Sequence, residues 1–176
     1  MTASKDYPID FIKRTQEILT DYYQDFQSKD REVTFLLNCL LGLIITIAES
    51  EKRKERIFKG NIDDSFLLLI PDKIGFIHSN KLAMEFTKEN LTEVMEVTVM
   101  IGHKNDLKEK KKSWFLNKIR NSIAHQNIEA INNEDEKWIG VRLWNINYDN
   151  KKDFEIIFTI EELKKFAIEL SKKYLL

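Results

Sequence analysis

The sequence predicts an all-α domain: an antiparallel helical bundle with a β-hairpin inserted before its C-terminal helix. Three observations predict it. Apolar residues recur at helical spacing through most of the chain. Five Gly and two Pro give few breaks, which suits long helices better than a turn-rich sandwich. The period changes once, in two runs of β-branched and aromatic residues near the C-terminus. At 176 residues and 43% hydrophobic, the chain suits one domain over residues 1–176, and this composition excludes a disordered tail.

The elements follow in order. Pro8 opens a helix whose Ile9, Ile12, Ile18, Leu19, Tyr22, Tyr23 and Phe26 carry the periodicity to Ser28. A second helix is expected from Arg31 to about Lys54. Its uncharged block, residues 35–48, is shorter than the roughly 20 apolar residues a bilayer span needs. A fully buried bundle helix is therefore expected, with internal partners for Asn38 and Thr46 and no membrane partner. Gly60 to Asp72 reads as a connection with a short buried run at 66–70 and a stop at Pro71. Asn90 or Thr92 caps a further helix that stops near Gly102, and residues 106–126 form another. Residues 138–148 and 154–160 flank the polar segment 149–153 and make the hairpin. Thr159 and Glu162 have capping-box spacing and open a last helix to about Tyr174.

Charge and cysteine content exclude several classes. A net charge of -1 excludes a chain that coats nucleic acid indiscriminately. One cysteine, Cys39, excludes an internal disulfide and fits a reducing compartment, so a cytoplasmic location is expected. The first ten residues lack the basic-then-apolar layout of a signal peptide. The charge is uneven, however. Between Lys104 and His125 lie seven basic and two acidic residues, a local +5.

The chemistry-bearing segment is KIRNSIAHQN at 118–127. On a helical wheel Phe115, Leu116, Ile119 and Ile123 form the apolar stripe. Trp114, Lys118, Asn121 and His125 fall together on the other side, and Arg120 flanks them. Arg120 and His125 stand about 140° apart around a regular helix. They converge only if the helix ends near His125 or a second copy lies across a two-fold axis, so a homodimer is expected. An imidazole can take a proton from a hydroxyl and return one to a leaving oxygen. A guanidinium matches a phosphate in charge and shape, and an Asn amide can orient either group. That equipment suffices for metal-independent RNA cleavage, with Lys118, Lys108, Lys110, Lys111 and Lys112 as the RNA-binding approach, although the run 108–112 reads equally as a solvated face. A solvated Arg120 and a helix-capping His125 are the alternative reading of the same residues.

Other motifs carry less. His78, His103 and His125 with Cys39 lack metal-ligand spacing, so no metal and no other cofactor is expected. There is no Gly-rich phosphate loop or nucleophile elbow. Glu161 and Glu162 read as first-turn helix charges. Trp138, Trp144 and Phe154 read as hairpin core, although an exposed one could stack a base.

The run from Arg120 through Asn121 to His125, with four residues between Arg and His, resembles the motif of the HEPN family (higher eukaryotes and prokaryotes nucleotide-binding domain). The block FLLNCLLGL at 35–43 is similar to the second helix of a plasmid-borne HEPN subgroup. The resemblance implies a bundle that dimerises and sets two motifs face to face. It implies a metal-independent RNase in a toxin–antitoxin, abortive-infection or other defence system. Arg120 and His125 would then be catalytic and Asn121 supporting, with RNA as substrate and an antitoxin or regulatory protein as a further partner. Some members have lost activity, so the alternative is an inactive module that binds RNA, a nucleotide or a protein. One departure matters: toxin members that a nucleotidyltransferase modifies carry Tyr two residues after the His, where this chain has Asn127.

Overall fold

The computed structural model describes residues 6–50, 59–78, 81–82 and 104–175. Among the described residues, helices α1 (Tyr7–Asp21), α2 (Tyr23–Gln27), α3 (Glu32–Glu49), α4 (Asp64–Leu67), α5 (Lys112–Ala124) and α6 (Ile160–Leu175) accompany five strands. These are β1 (Ile74–His78), β2 (Lys81–Leu82), β3 (Ile128–Asn132), β4 (Trp138–Ile146) and β5 (Lys152–Thr159). They form one antiparallel sheet in the order β2-β1-β5-β4-β3. This corrects the all-α expectation: the fold is mixed α/β, and the hairpin β4–β5 is the middle of a sheet instead of an insertion in a bundle. The reason is long-range pairing. Ile74, Gly75 and Phe76 of β1 pair with Ile156, Glu155 and Phe154 of β5, far along the chain.

The sheet's alternation positions the core. Val141 and Leu143 of β4, with Phe154, Ile156 and Phe158 of β5, are fully buried in one cluster with Leu36, Leu40, Phe115, Ile119, Phe166 and Leu170 of the helices. Phe115 meets Phe154 edge-on at 5.8 Å and Phe166 at 6.0 Å. Burial of each such ring contributes on the order of 2–3 kcal/mol. Polar residues of the sheet pair as well: Arg142 of β4 bonds Glu155 of β5 through Nε and Glu129 of β3 through Nη1 at 3.0 Å.

Local chemistry explains where helices stop. The helix expected to run to Ser28 breaks at Tyr22 (φ -109°, ψ -1°). In α3, Val33, Leu36, Leu40, Leu43, Ile44 and Ile47 are buried, whereas Thr34, Asn38 and Ile45 are exposed. The helix is thus long and apolar enough to span a membrane, yet half of it is buried in the core. The fully buried helix is corrected, and Asn38 needs no internal partner because it faces out. Residues 51–54, the expected end of this helix, and the helix expected between Asn90 and Gly102 lie outside the described residues.

The helix expected over 106–126 is two pieces: a 3-10 helix, Lys104–Glu109, and then α5. Between them Lys111 is extended (φ -77°, ψ 146°). The Ile62 amide donates to the Lys110 carbonyl at 2.9 Å and the Lys112 amide to the Gly60 carbonyl at 3.1 Å, which draws this stretch out of helix. The capping box forms as expected: the Thr159 amide donates to Glu162 Oε2 at 2.8 Å, and the Glu162 amide to Thr159 Oγ1 at 3.0 Å.

Candidate functional site

Helix α5 carries the motif and joins the sheet directly. Phe115, Leu116, Ile119 and Ile123 are buried, as the wheel predicts, and Ser122 joins them with its Oγ donating to the Lys118 carbonyl at 2.8 Å. The helix ends at His125 in a Schellman cap. The Asn127 amide donates to the Ser122 carbonyl at 2.9 Å, and the Gln126 amide to the Ile123 carbonyl at 3.1 Å. Gln126 occupies the left-handed position (φ 56°), where glycine is the usual residue. The Trp144 amide then donates to the Asn127 carbonyl at 3.2 Å, and Ile128 pairs with Leu143. His125 therefore stands at a junction fixed on both sides, by the helix and by the first residue pair of β3.

The predicted site residues divide into two groups. Trp114 packs edge-on against Phe76 at 6.1 Å and Phe154 at 5.8 Å. Lys118 is tied to Asp153, which also accepts from Asn145 Nδ2 at 2.7 Å. These two residues belong to the contact between α5 and the sheet. Arg120 and Asn121 are half-buried and His125 is exposed; their side chains make no hydrogen bond or ion pair to another described residue. Asn117 and Ala124, which the wheel did not single out, are exposed on the same side. At about 100° per residue, Asn117, Asn121 and Ala124 fall between Arg120 and His125. The free face is thus small-sided and polar, with a guanidinium on one edge and an imidazole on the other.

The basic approach is mostly matched within the chain. Lys108 pairs with Asp64 at 2.6 Å, Lys112 with Asp63 at 2.5 Å and Lys104 with Asp72 at 2.6 Å. Lys110 lies over the Trp114 ring at 5.6 Å, and Lys111 is exposed. Lys112, and next the Ser65 hydroxyl, hold the Asp63 carboxyl well below the usual carboxylate range. The local +5 of the sequence is therefore an overcount of the charge an RNA would meet. Asp153, the half-buried anchor of Lys118, lies 35 residues away in the sequence, where no local pattern marks it. Among the described residues no group of three His, Cys, Asp or Glu side chains is placed to hold a metal ion.

Comparison with curated proteins and with solved structures finds no match. A family match, in contrast, spans residues 1–176 and carries the description HEPN pEK499 p136. It covers both blocks that resemble HEPN proteins, residues 35–43 and the Arg120–His125 motif. The chain belongs to the HEPN pEK499 p136 family.

Proposed function

We propose that this protein is a metal-independent endoribonuclease of HEPN type, a toxin or defence component that cuts RNA at a composite site between two copies of the chain. The observation that carries the reading is the motif's free face. Arg120, Asn121 and His125 lie along the last turns of α5 without partners among the described residues, while most of the neighbouring lysines are paired. Family membership supplies the class of chemistry.

In the proposed reaction His125 takes the proton of a ribose 2′-hydroxyl, whose oxygen attacks the adjacent phosphorus. Arg120 stabilises the charge that grows on the non-bridging oxygens. The 5′-oxygen leaves with a proton from an imidazolium, and the upstream fragment ends in a 2′,3′-cyclic phosphate. Asn121 orients the phosphate or the imidazole. By regular helical spacing Arg120 and His125 lie about 140° apart, and we take a second copy, not the helix end at His125, as what brings them together. A second α5 crossing the small-sided face at Asn117, Asn121 and Ala124 brings the Arg of one copy to the His of the other.

The test is cleavage of single-stranded RNA by purified protein with EDTA present, beside His125→Ala and Arg120→Ala. Cyclic-phosphate products that both variants lack support the proposal. Binding without turnover supports an inactive RNA-binding module in its place, and equal cleavage by all three proteins moves the site elsewhere.

A further inference from the structure

A cavity lies away from α5, where the start of α3 faces the β3–β4 turn. Its volume is about 570 Å³, within the range of small-molecule sites. Four carboxylates line it, from Asp30, Glu32, Asp135 and Glu136, together with Lys137 and Trp138. Glu32 is the informative one. It is 9% exposed, its Oε2 is buried without a hydrogen-bond partner, and no described cation pairs with it. The Tyr23 hydroxyl, pushed up to about 12 by burial first and then by the charges of Glu161 and Glu32, makes no hydrogen bond to Glu32 either. Beyond the partial positive charge of the α3 N-terminus, in whose first turn it sits, the Glu32 carboxylate lacks the counter-charge that buried ions normally have.

The rest of the lining says what would supply it. Lys137 forms no ion pair with the four acids, so the cavity keeps an excess of negative charge. The acids do not converge as one metal ion would need. Trp138 is 43% exposed and lines the same space, an aromatic wall of the kind that holds ammonium groups and their alkyl chains. The turn carrying Asp135 and Lys137 is fixed, since Asn133 Oδ1 accepts from both of their amides, at 3.1 and 2.9 Å.

We propose that this cavity binds an organic cation bearing alkylammonium groups, with Glu32 as the buried anchor and Trp138 as the wall. Such groups come from a free polyamine or from lysine side chains of a peptide. Calorimetric titration of the full-length protein distinguishes the sources, with spermidine, a short lysine-bearing peptide and magnesium chloride as separate titrants. Saturable binding of spermidine or of the peptide, at one site per chain, is expected. Glu32→Gln should weaken it by at least about tenfold. Asp135→Asn, an exposed change that leaves packing untouched, should weaken it severalfold. Glu169→Gln, which removes an equal charge from α6, should leave it unchanged. Spermidine binding alone identifies a polyamine site, and peptide binding alone identifies a lysine-recognition site. Absence of binding by both amines overturns the proposal. So does equal weakening by Glu169→Gln, or a magnesium signal that Glu32→Gln abolishes.

Discussion

Arg142 offers the sharpest test of how the sheet holds the site in place. Its Nε bonds Glu155, its Nη1 lies 3.0 Å from Glu129, and Lys152 Nζ lies 3.4 Å from the second Glu155 oxygen. Glu155 is fully buried, Arg142 is 8% exposed, and the Glu129 and Lys152 side chains keep about a quarter of their surface in water. Arg142→Leu therefore removes the closest counter-charge of a carboxylate that water does not reach. Breaking a buried pair in this way costs about 3–5 kcal/mol. For a chain of this size that lowers Tm by roughly 6–20 °C. The double variant Arg142→Leu/Glu155→Leu removes both buried charges and leaves two partly hydrated ones, so most of the loss should return. Thermal and urea unfolding of the two single variants and the double variant measure this directly. A single-variant loss under about 1 kcal/mol, or a double variant as unstable as the sum of the singles, refutes the reasoning.

Three further outcomes follow from local geometry. Gln126→Gly relieves the left-handed strain of the Schellman cap and should raise stability by about 0.5–1 kcal/mol in urea unfolding, with the proposed RNA cleavage retained. Asp63 has a depressed carboxyl, so its pairing with Lys112 is fully present above the unfolded value of about 3.9 and is lost as pH falls below it. The stability gap between wild type and Asp63→Asn should narrow on that acid limb. It should stay under about 1 kcal/mol at neutral pH, because the Asp63 side chain is half exposed. Burial pushes the Cys39 thiol up to about 11, so at pH 8 it should alkylate roughly a hundredfold more slowly than an unshifted thiol, and faster only as pH nears 11.

The sequence revealed what depends on neighbours a few residues apart. The apolar stripe of α5, the Thr159–Glu162 box and the β4–β5 pairing were all legible for that reason. The remaining strands were not. β3 has five residues of mixed polarity directly after a helix, too short for a clear alternation, and β1 gains its strand character from β5, about 80 residues further along the chain. Distance also hid the charge balance. Lys104, Lys112 and Lys118 find their acids 32, 49 and 35 residues away, so a sum over a local window counted cations whose partners lay outside it. The site's residue types were readable from Arg120-Asn121 and His125, whereas their lack of partners required the fold. The Schellman cap escaped notice because Gln126 stands where glycine would have marked it.

The proposed composite site is tested most directly by mixing two variants that the proposal makes inactive. His125→Ala and Arg120→Ala, each expected to be inert alone, are refolded together and assayed on single-stranded RNA with EDTA present. Random pairing makes half of the dimers mixed, and each mixed dimer holds one site with both Arg120 and His125 intact, so about a quarter of wild-type activity should return. A mixture as inert as its components, beside an active wild type, would contradict the account and place the working pair within one chain.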